Sequence, residues 1–321
     1  MGKIDSCDVV LVGAAHMDLQ VRPVGKGLLD TASYPADEMV WSVGGDALNE
    51  ATIISRLGHR VRLVSCIGDD MIGGMIVDHC NRNGIDTTYL KRDKNKVTGI
   101  NIGLICEDGE RTFINNRSGS IWTFNPNDVD LNVVTEAKIL CFASIFNNPL
   151  LDGKFMLRLF QHAKQQGMTI CADIVGAKRS ETLDDIMESL PYIDYFFPNY
   201  EEACKLTGFT NIYEIADRLI GLGVGHLLLK IGKKGCLVKT KDRCFIVPGY
   251  PASNCVDTTG AGDNFASGFI CGLLERKDLR YCAELANCTA SIAVETVGAT
   301  EGVKNREQVE ERYQKYLEFQ H

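Results

Sequence analysis

The chain has no apolar run long enough to cross a bilayer. The longest near its start, residues 9–15, has seven residues and follows Asp5 and Asp8. A membrane helix needs about 20 apolar residues and a signal peptide needs a basic flank, so neither reading fits. Basic charge is in deficit, with 34 Lys and Arg against 42 Asp and Glu in 321 residues, a net charge of -8. That balance excludes an electrostatic grip on nucleic acid or an anionic membrane. The one basic cluster, between Lys91 and Lys96, also contains Asp93 and Asn95 and reads as a solvated loop. The 13 cysteines include no C-x-x-C pair and no zinc spacing, and their number is odd. Such cysteines suit small buried thiols in a reducing cytoplasm, the location expected for the chain. The sequons at Asn116 and Asn287 are discounted on the same ground, and the Met1-Gly2-x-x-x-Ser6 match to a myristoylation pattern is too short to carry weight. No G-x-G-x-x-G follows the first strand, which ends Gly13-Ala14-Ala15-His16, and no G-x-x-x-x-G-K-[ST] is present. Dinucleotide oxidoreductases and P-loop kinases are thereby excluded.

With 45% hydrophobic residues, the chain has ample apolar mass for a core. Neither repeats nor low-complexity segments interrupt it, so residues 1–321 read as one continuous domain. Short branched runs at 9–12, 61–67, 139–143, 168–172, 195–197 and 226–231 lack polar alternation, as strands buried on both faces do. Helical spacing lies between them. Met71, Ile72, Met75 and Ile76 precede Gly84; Phe155, Met156, Leu159, Phe160 and Ala163 precede Gly167. This alternation predicts a three-layer α/β fold with a mostly parallel central sheet, and a ligand crevice at the carboxyl ends of its strands.

Two segments, roughly 16–43 and 97–118, break the alternation. Residues 18–22, 38–43, 98–105 and 110–115 look like exposed strands, the last two joined by a turn at Glu107-Asp108-Gly109. They are expected to form a small β-sheet lid over the crevice, or half of a dimer contact, in preference to an antiparallel edge on the main sheet.

The sharpest motif is Asp257-Thr258-Thr259-Gly260-Ala261-Gly262-Asp263, followed by an amphipathic helix carrying Phe265, Ala266, Phe269, Ile270, Leu273 and Leu274 on one face. Small residues at a helix N-terminus leave backbone N–H groups for an anion. Asp263, in the first turn, is placed to take a proton from a hydroxyl attacking a phosphoryl group. The bland reading is a helix cap beside a tight turn. Upstream, Gly44-Gly45-Asp46-Ala47-Leu48-Asn49 is a second glycine pair opening a helix, and Asn49 offers donor and acceptor to a sugar hydroxyl.

Together these motifs resemble the ribokinase-like (PfkB) carbohydrate kinases over essentially the whole chain. The resemblance implies an ATP-dependent phosphotransferase with Asp263 as base and Gly260, Ala261 and Gly262 as anion hole. It implies that Asn199 and Glu202, at the family's N-x-x-E motif, order Mg2+ and phosphates through water. Lys230, Gly232 and Gly235 fall at the nucleotide loop, where the family often has threonine at the position of Lys230, and Asn287 matches a position near the adenine. On the sugar side His16-Met17-Asp18 stands at the N-x-D position, with histidine for asparagine. Asp18 is the best ligand for sugar hydroxyls; His16 is either a second ligand or a satisfied residue ending a strand. Gly44, Gly45, Asp46 and Asn49 complete the expected substrate contacts. A monovalent cation, K+, is expected beside the anion hole on Asp257, the Thr259 carbonyl and carbonyls of residues 294–298.

The carboxylates Asp18 and Asp46 favour an unphosphorylated sugar or sugar derivative over a sugar phosphate, because they would repel a dianion. Arg22, Arg111, Arg117 and Arg179 are the counterweight, and they make a sugar acid the runner-up. A nucleoside kinase of the same family is the nearest rival and would need an aromatic slot from Trp41, Trp122 or Phe124. A sugar or nucleotide sensor that has lost chemistry is the non-enzyme alternative, opposed by the intact Asp263 loop. A homodimer through the lid is expected, because apolar strands such as residues 100–105 need a partner.

Overall fold

Among the described residues of this computed structural model, which are 7–107, 110–134 and 137–319, thirteen strands form two sheets and are accompanied by nine α-helices. The strands are β1 Val9–Gly13, β2 His16–Arg22, β3 Glu38–Gly44, β4 Val61–Gly68, β5 Leu90–Asp93, β6 Ile100–Ile105, β7 Arg111–Asn115, β8 Ile139–Ile145, β9 Thr169–Ile174, β10 Tyr195–Phe196, β11 His226–Lys230, β12 Cys236–Lys239 and β13 Cys244–Val247. The helices are α1 Asp46–Arg56, α2 Met71–Arg82, α3 Ser120–Thr123, α4 Gly153–Gln165, α5 Tyr200–Thr207, α6 Ile212–Gly221, α7 Ala261–Leu274, α8 Leu279–Ala293 and α9 Arg306–Phe319.

The main sheet runs β13-β12-β11-β10-β9-β8-β1-β4-β5. It is parallel from β11 to β5, and β12 and β13 close one edge antiparallel. Alternate residues of β1 serve different layers. Val9 and Leu11 pack with α1, α2, α7 and α8, whereas Val10 and Val12 pack with α4 and α6. A strand buried on both faces cannot alternate polar with apolar, which is why these runs carry no polar positions.

The second sheet, ordered β3-β2-β6-β7, is separate from the first. Its β2–β6 pair is parallel and the others antiparallel. The exposed-strand segments therefore do form a small sheet of their own and not an edge of the main one. Asp108 and Gly109 of the expected turn, and the opening Met1-Gly2 pattern, lie outside the described residues. One expectation about the lid is corrected: β6 lies at the centre of the small sheet, flanked by β2 and β7, and is half-buried. The exposed apolar side chains sit on β3 and β7, Met39 and Ile114 among them.

The Lys91–Lys96 region is corrected too. It contains β5, and Lys91 and Lys96 both bond the buried Asp128, Lys91 Nζ at 2.7 Å from Oδ1 and Lys96 at Oδ2. A buried carboxylate needs such partners, and a one-dimensional charge run does not show them. Met71, expected on the buried stripe of α2, is instead exposed at the first helical position. All 13 cysteines are free, nine of them buried. Among the described residues no helix is long and apolar enough to cross a membrane.

Candidate active site

The carboxyl ends of β1, β8, β9, β10 and β11 open onto one crevice, and the N-termini of α1 and α7 point into it. Gly260 caps α7 in a left-handed conformation, φ 73°; a Cβ there would lie 2.6 Å from Ala299 Cα, so only glycine fits. By helix geometry the N–H groups of the first turn, Gly262 and Asp263 among them, have no intrahelical acceptor. Asp257 stabilises this turn. Its Oδ1 accepts from Thr259 N at 2.9 Å and Thr259 Oγ1 at 2.7 Å, and its Oδ2 accepts from Gly298 N at 3.0 Å. The loop before α7 is thus tied to the loop after α8.

Asp263 Oδ2 accepts a 2.7 Å hydrogen bond from Asn49 Nδ2, which joins the two glycine motifs across 214 residues of sequence. Burial and the neighbouring Asp46 carboxylate push the Asp263 carboxyl well above its ordinary value, against the Asn49 bond that favours the charged form. Gly44 ends β3 and Gly45 caps α1. Gly44 lies so close to Asp18 and His16 that a Cβ would meet Asp18 Oδ2 at 2.1 Å.

Asp46 Oδ2 accepts from Ser144 Oγ and, at 3.0 Å, from Asn147 Nδ2. Asn147 in turn accepts twice from Lys178 Nζ, through its backbone O and its Oδ1, both at 2.7 Å. With one amide end facing a carboxylate and the other an ammonium, its orientation is fixed by chemistry. The opposite wall is the small sheet. His16 is buried, its Nε2 3.2 Å from Asp18 Oδ1 and 2.8 Å from Asn101 Nδ2. Asn101 pairs in register with Asp18 on one side and Asn115 on the other, and Asn115 Oδ1 accepts from Trp122 Nε1 at 2.8 Å. Of the three aromatic candidates, only Trp122 stands on this wall. Phe124 is in the core, and Trp41 lines a separate cleft of about 570 Å³ beside α2.

At the other end, Lys230 Nζ bonds Asp173 Oδ2 at 2.6 Å and sits 3.0 Å from where a Gly262 Cβ would be, directly beneath the α7 turn. Burial lowers the affinity of Lys230 for its proton, but the Asp173, Glu202 and Asp263 carboxylates outweigh it and hold the ammonium charged. Asn199 bridges to Lys230 and caps α5, and its box with Glu202 is reciprocal: Glu202 N donates to Asn199 Oδ1 at 2.9 Å and Asn199 N to Glu202 Oε2 at 2.8 Å. Burial raises Glu202 to about 7, helped by Asp173. Asn199, Lys230, Ile231, Gly232, Lys234 and Thr258 line a cleft of about 930 Å³. Gly235 closes the tight turn that Gly232 opens, Gly235 N donating to Gly232 O at 2.9 Å. Asn287 is buried and donates to the carbonyls of Val247 and Pro248, so its amide ties the end of β13 to α8.

Five site residues escaped the sequence reading: Asn101, Asn115, Asn147, Asp173 and Lys178. Asp173 had a visible signal, a carboxylate at the end of a buried branched run. Asn101 had another, the period-2 neighbourhood of a lid strand; Asn147 and Lys178 sit on irregular loops and had none.

The profile of the pfkB family carbohydrate kinases matches residues 7–306. The 2-dehydro-3-deoxygluconokinase of Haemophilus influenzae is 27% identical over 296 residues, covering 86% of this chain and 93% of the relative. The ribokinase of the same organism is 28% identical, covering 83% and 85%. The structure of Arabidopsis thaliana ribokinase complexed with ribose and ATP superposes with a TM-score of 0.84 at 26% identity, over 96% of this chain and 99% of that one. Both glycine motifs, the two-sheet architecture and the profile match cover nearly the same residues, and on that coincidence the chain belongs to the pfkB family of carbohydrate kinases.

Proposed function

We propose that the protein is an ATP-dependent sugar kinase that transfers the γ-phosphoryl group to a hydroxyl of an unphosphorylated sugar or sugar derivative, with Asp263 as general base. The observation that carries this reading is Asp263 itself, a carboxylate of raised proton affinity in the first turn of α7, oriented by Asn49. The acceptor oxygen attacks the γ-phosphorus, its proton passes to Asp263, and the bond from the γ-phosphorus to the bridging oxygen breaks to release ADP. Gly260, Ala261 and Gly262 form the anion hole for the charge that develops on the phosphoryl oxygens, with Ala261 N also donating to Thr258 O at 3.2 Å to close the turn. Asp18, His16, Asp46 and Asn49, with Gly44 and Gly45 allowing close approach, orient the acceptor.

Lys230 adds positive charge beneath the phosphates, and Gly232 and Gly235 shape the nucleotide turn. Asn287 acts through the β13 carbonyls it holds. ATP as co-substrate is supported by the ATP complex of the Arabidopsis ribokinase. Among the described residues no three metal-ligating side chains cluster, which suits Mg2+, a cation that keeps most of its waters and rides on substrate phosphates. Asn199 and Glu202 are the residues that would order its waters, and Mg2+ when bound neutralises the triphosphate. The proposed monovalent-cation site lies where the loop before α7 meets the end of α8: Asp257 N donates to Val294 O at 3.2 Å and Asp257 Oδ2 accepts from Gly298 N at 3.0 Å. K+ there would hold the loop that supplies the N–H groups.

Residues 16–43 and 97–118 act as a lid on a single domain, and two copies pair through its outer face; the chemistry is placed in the cytoplasm. The nucleoside reading is weaker because two of its three aromatic candidates face elsewhere, and a non-catalytic sensor would not need the oriented Asp263. An ADP-release assay over sugars, sugar acids, polyols and nucleosides tests the reading. Acceptor-dependent ADP is expected, abolished without Mg2+ and reduced when K+ is replaced by a large organic cation. Acceptor-independent ADP alone, or none, would refute the kinase; equal rates in the two monovalent cations would refute the K+ site.

A further inference from the structure

The loop between α8 and α9, residues 294–305, packs against the turn before α7 at two adjacent positions. Gly298 N donates to Asp257 Oδ2 at 3.0 Å, and the Ala299 backbone lies directly against Gly260. Asn264, fully buried in α7, clips the two together: its Nδ2 donates to Gly260 O and to Ala299 O, both at 2.8 Å. The shape of the anion-hole turn therefore depends on where this loop sits.

A residue of another helix holds the loop from behind. Arg56, the last residue of α1, donates from Nη1 to the carbonyls of Thr300 and, at 3.0 Å, Val303, and from Nε to Asn83 Oδ1 at 3.0 Å. Burial lowers the affinity of this guanidinium for its proton, and the nearby Glu301 carboxylate opposes that. A half-buried cation directed at backbone carbonyls fixes them with charge-assisted hydrogen bonds, which are stronger than neutral ones. Arg56 lies two helical turns after Asn49, so the two side chains leave the same face of α1 about 10 Å apart. Asn49 orients Asp263 at 2.7 Å, while Arg56 secures the loop behind Gly260. One rigid element thus sets the position of both the base and the anion hole.

We propose that Arg56 is a positioning residue for phosphoryl transfer, holding the backbone of residues 299–303 so that Gly260 to Gly262 stay aimed at the γ-phosphate. The inference rests on the kinase reading above and adds to it a residue at the far end of α1 from the crevice. A misplacement of about 1 Å can cost about a hundredfold in rate, so a support that never meets the substrate still governs turnover. Loss of Arg56 should weaken contacts to the γ-phosphate and spare those to the rest of the nucleotide.

The test is calorimetric affinity of the full chain for a non-hydrolysable Mg-ATP analogue and for Mg-ADP. Arg56→Met should lower the analogue-over-ADP affinity ratio about tenfold, the scale of one hydrogen bond to a charged group. Arg56→Lys keeps the charge and should recover part of the ratio; should the Met variant not fold, the Lys variant reads the same loss at about threefold. A merely structural role would weaken both nucleotides together, or lower only the unfolding midpoint, and leave the ratio unchanged. Asn264→Ala removes the clip between loop and turn. Combined with Arg56→Met it should lower the ratio by less than the product of the two single losses. With the sugar that turns over fastest in the panel above, kcat should fall about tenfold in Arg56→Met. No turnover in any variant, with an Arg56-dependent ratio, would refute the kinase and not the positioning role. A ratio unmoved in both Arg56 variants, an unchanged kcat in Arg56→Met, or losses that multiply with Asn264→Ala would overturn the proposal.

Discussion

At the residue scale the most unusual group is Glu50, one position beyond Asn49. It is fully buried, its Oε2 accepts from Cys141 Sγ at 3.0 Å, and its Oε1 has no protein partner. Burial, and after it the Asp263 carboxylate, raise its proton affinity well above that of an ordinary glutamate. A carboxyl whose folded-state pKa is raised contributes stability that is fully present below its unfolded pKa and is lost as pH rises toward the folded value. Glu50→Gln, which keeps the shape and removes the titration, should therefore be more stable than wild type at neutral pH. Its advantage should grow by up to about 1.4 kcal/mol per pH unit above the unfolded pKa and vanish at lower pH. Denaturant unfolding from about pH 4 to pH 8 measures it; a pH-independent difference would contradict it. The glycine motif exposed Asn49 to a sequence reading because asparagine at that spacing has an evident use. Glu50 beside it looks like any surface carboxylate until its burial is known.

At the element scale, α7 depends on how its first turn is held. Gly260 at φ 73° packs against Ala299, and Asp257 ties the turn to Gly298. Gly260→Ala adds a left-handed strain of about 1–2 kcal/mol and a backbone clash. It should lower both the unfolding midpoint and the affinity for Mg-ATP, read by calorimetry; an alanine variant with unchanged nucleotide affinity would show that the turn does not contact phosphate. This helix and its loop were legible in the sequence because a glycine-rich turn followed by a 3.6-residue apolar period is a local signal. The β12–β13 hairpin was less legible. Val and Ile on an edge strand look the same whether the strand lies parallel or antiparallel to its neighbour, and only pairing with β11 decides. Lys91 on β5 and Lys96 beyond it failed for a similar reason, since their partner Asp128 lies more than thirty residues away.

At the scale of the whole molecule, the small sheet presents Met39, 62% exposed, Trp41, 44%, and Ile114, 52%, on the face opposite to Asp18 and Asn101. Large apolar side chains on the two edge strands of a four-stranded sheet are the feature that a second copy would cover. Light scattering at micromolar concentration should give a dimer, and Met39→Glu should shift it toward monomer. A monomer with full activity would count against pairing through the lid. The α/β class and the two-sheet plan were legible because strand and helix periods differ and the lid segments broke the alternation. The polar contacts of the crevice were not, because Asn101, Asn147 and Lys178 come from separate loops and strands and find their partners His16 and Asp46 only when the chain is folded.

The central claim, that Asp263 removes the acceptor proton, is tested most directly by single-turnover phosphoryl transfer in Asp263→Asn, alongside its affinity for Mg-ATP. The substitution keeps shape and removes the base. The account predicts nearly unchanged nucleotide affinity and a rate lower by about a hundred- to ten-thousand-fold. A variant that keeps more than about a tenth of the wild-type rate would place the base elsewhere.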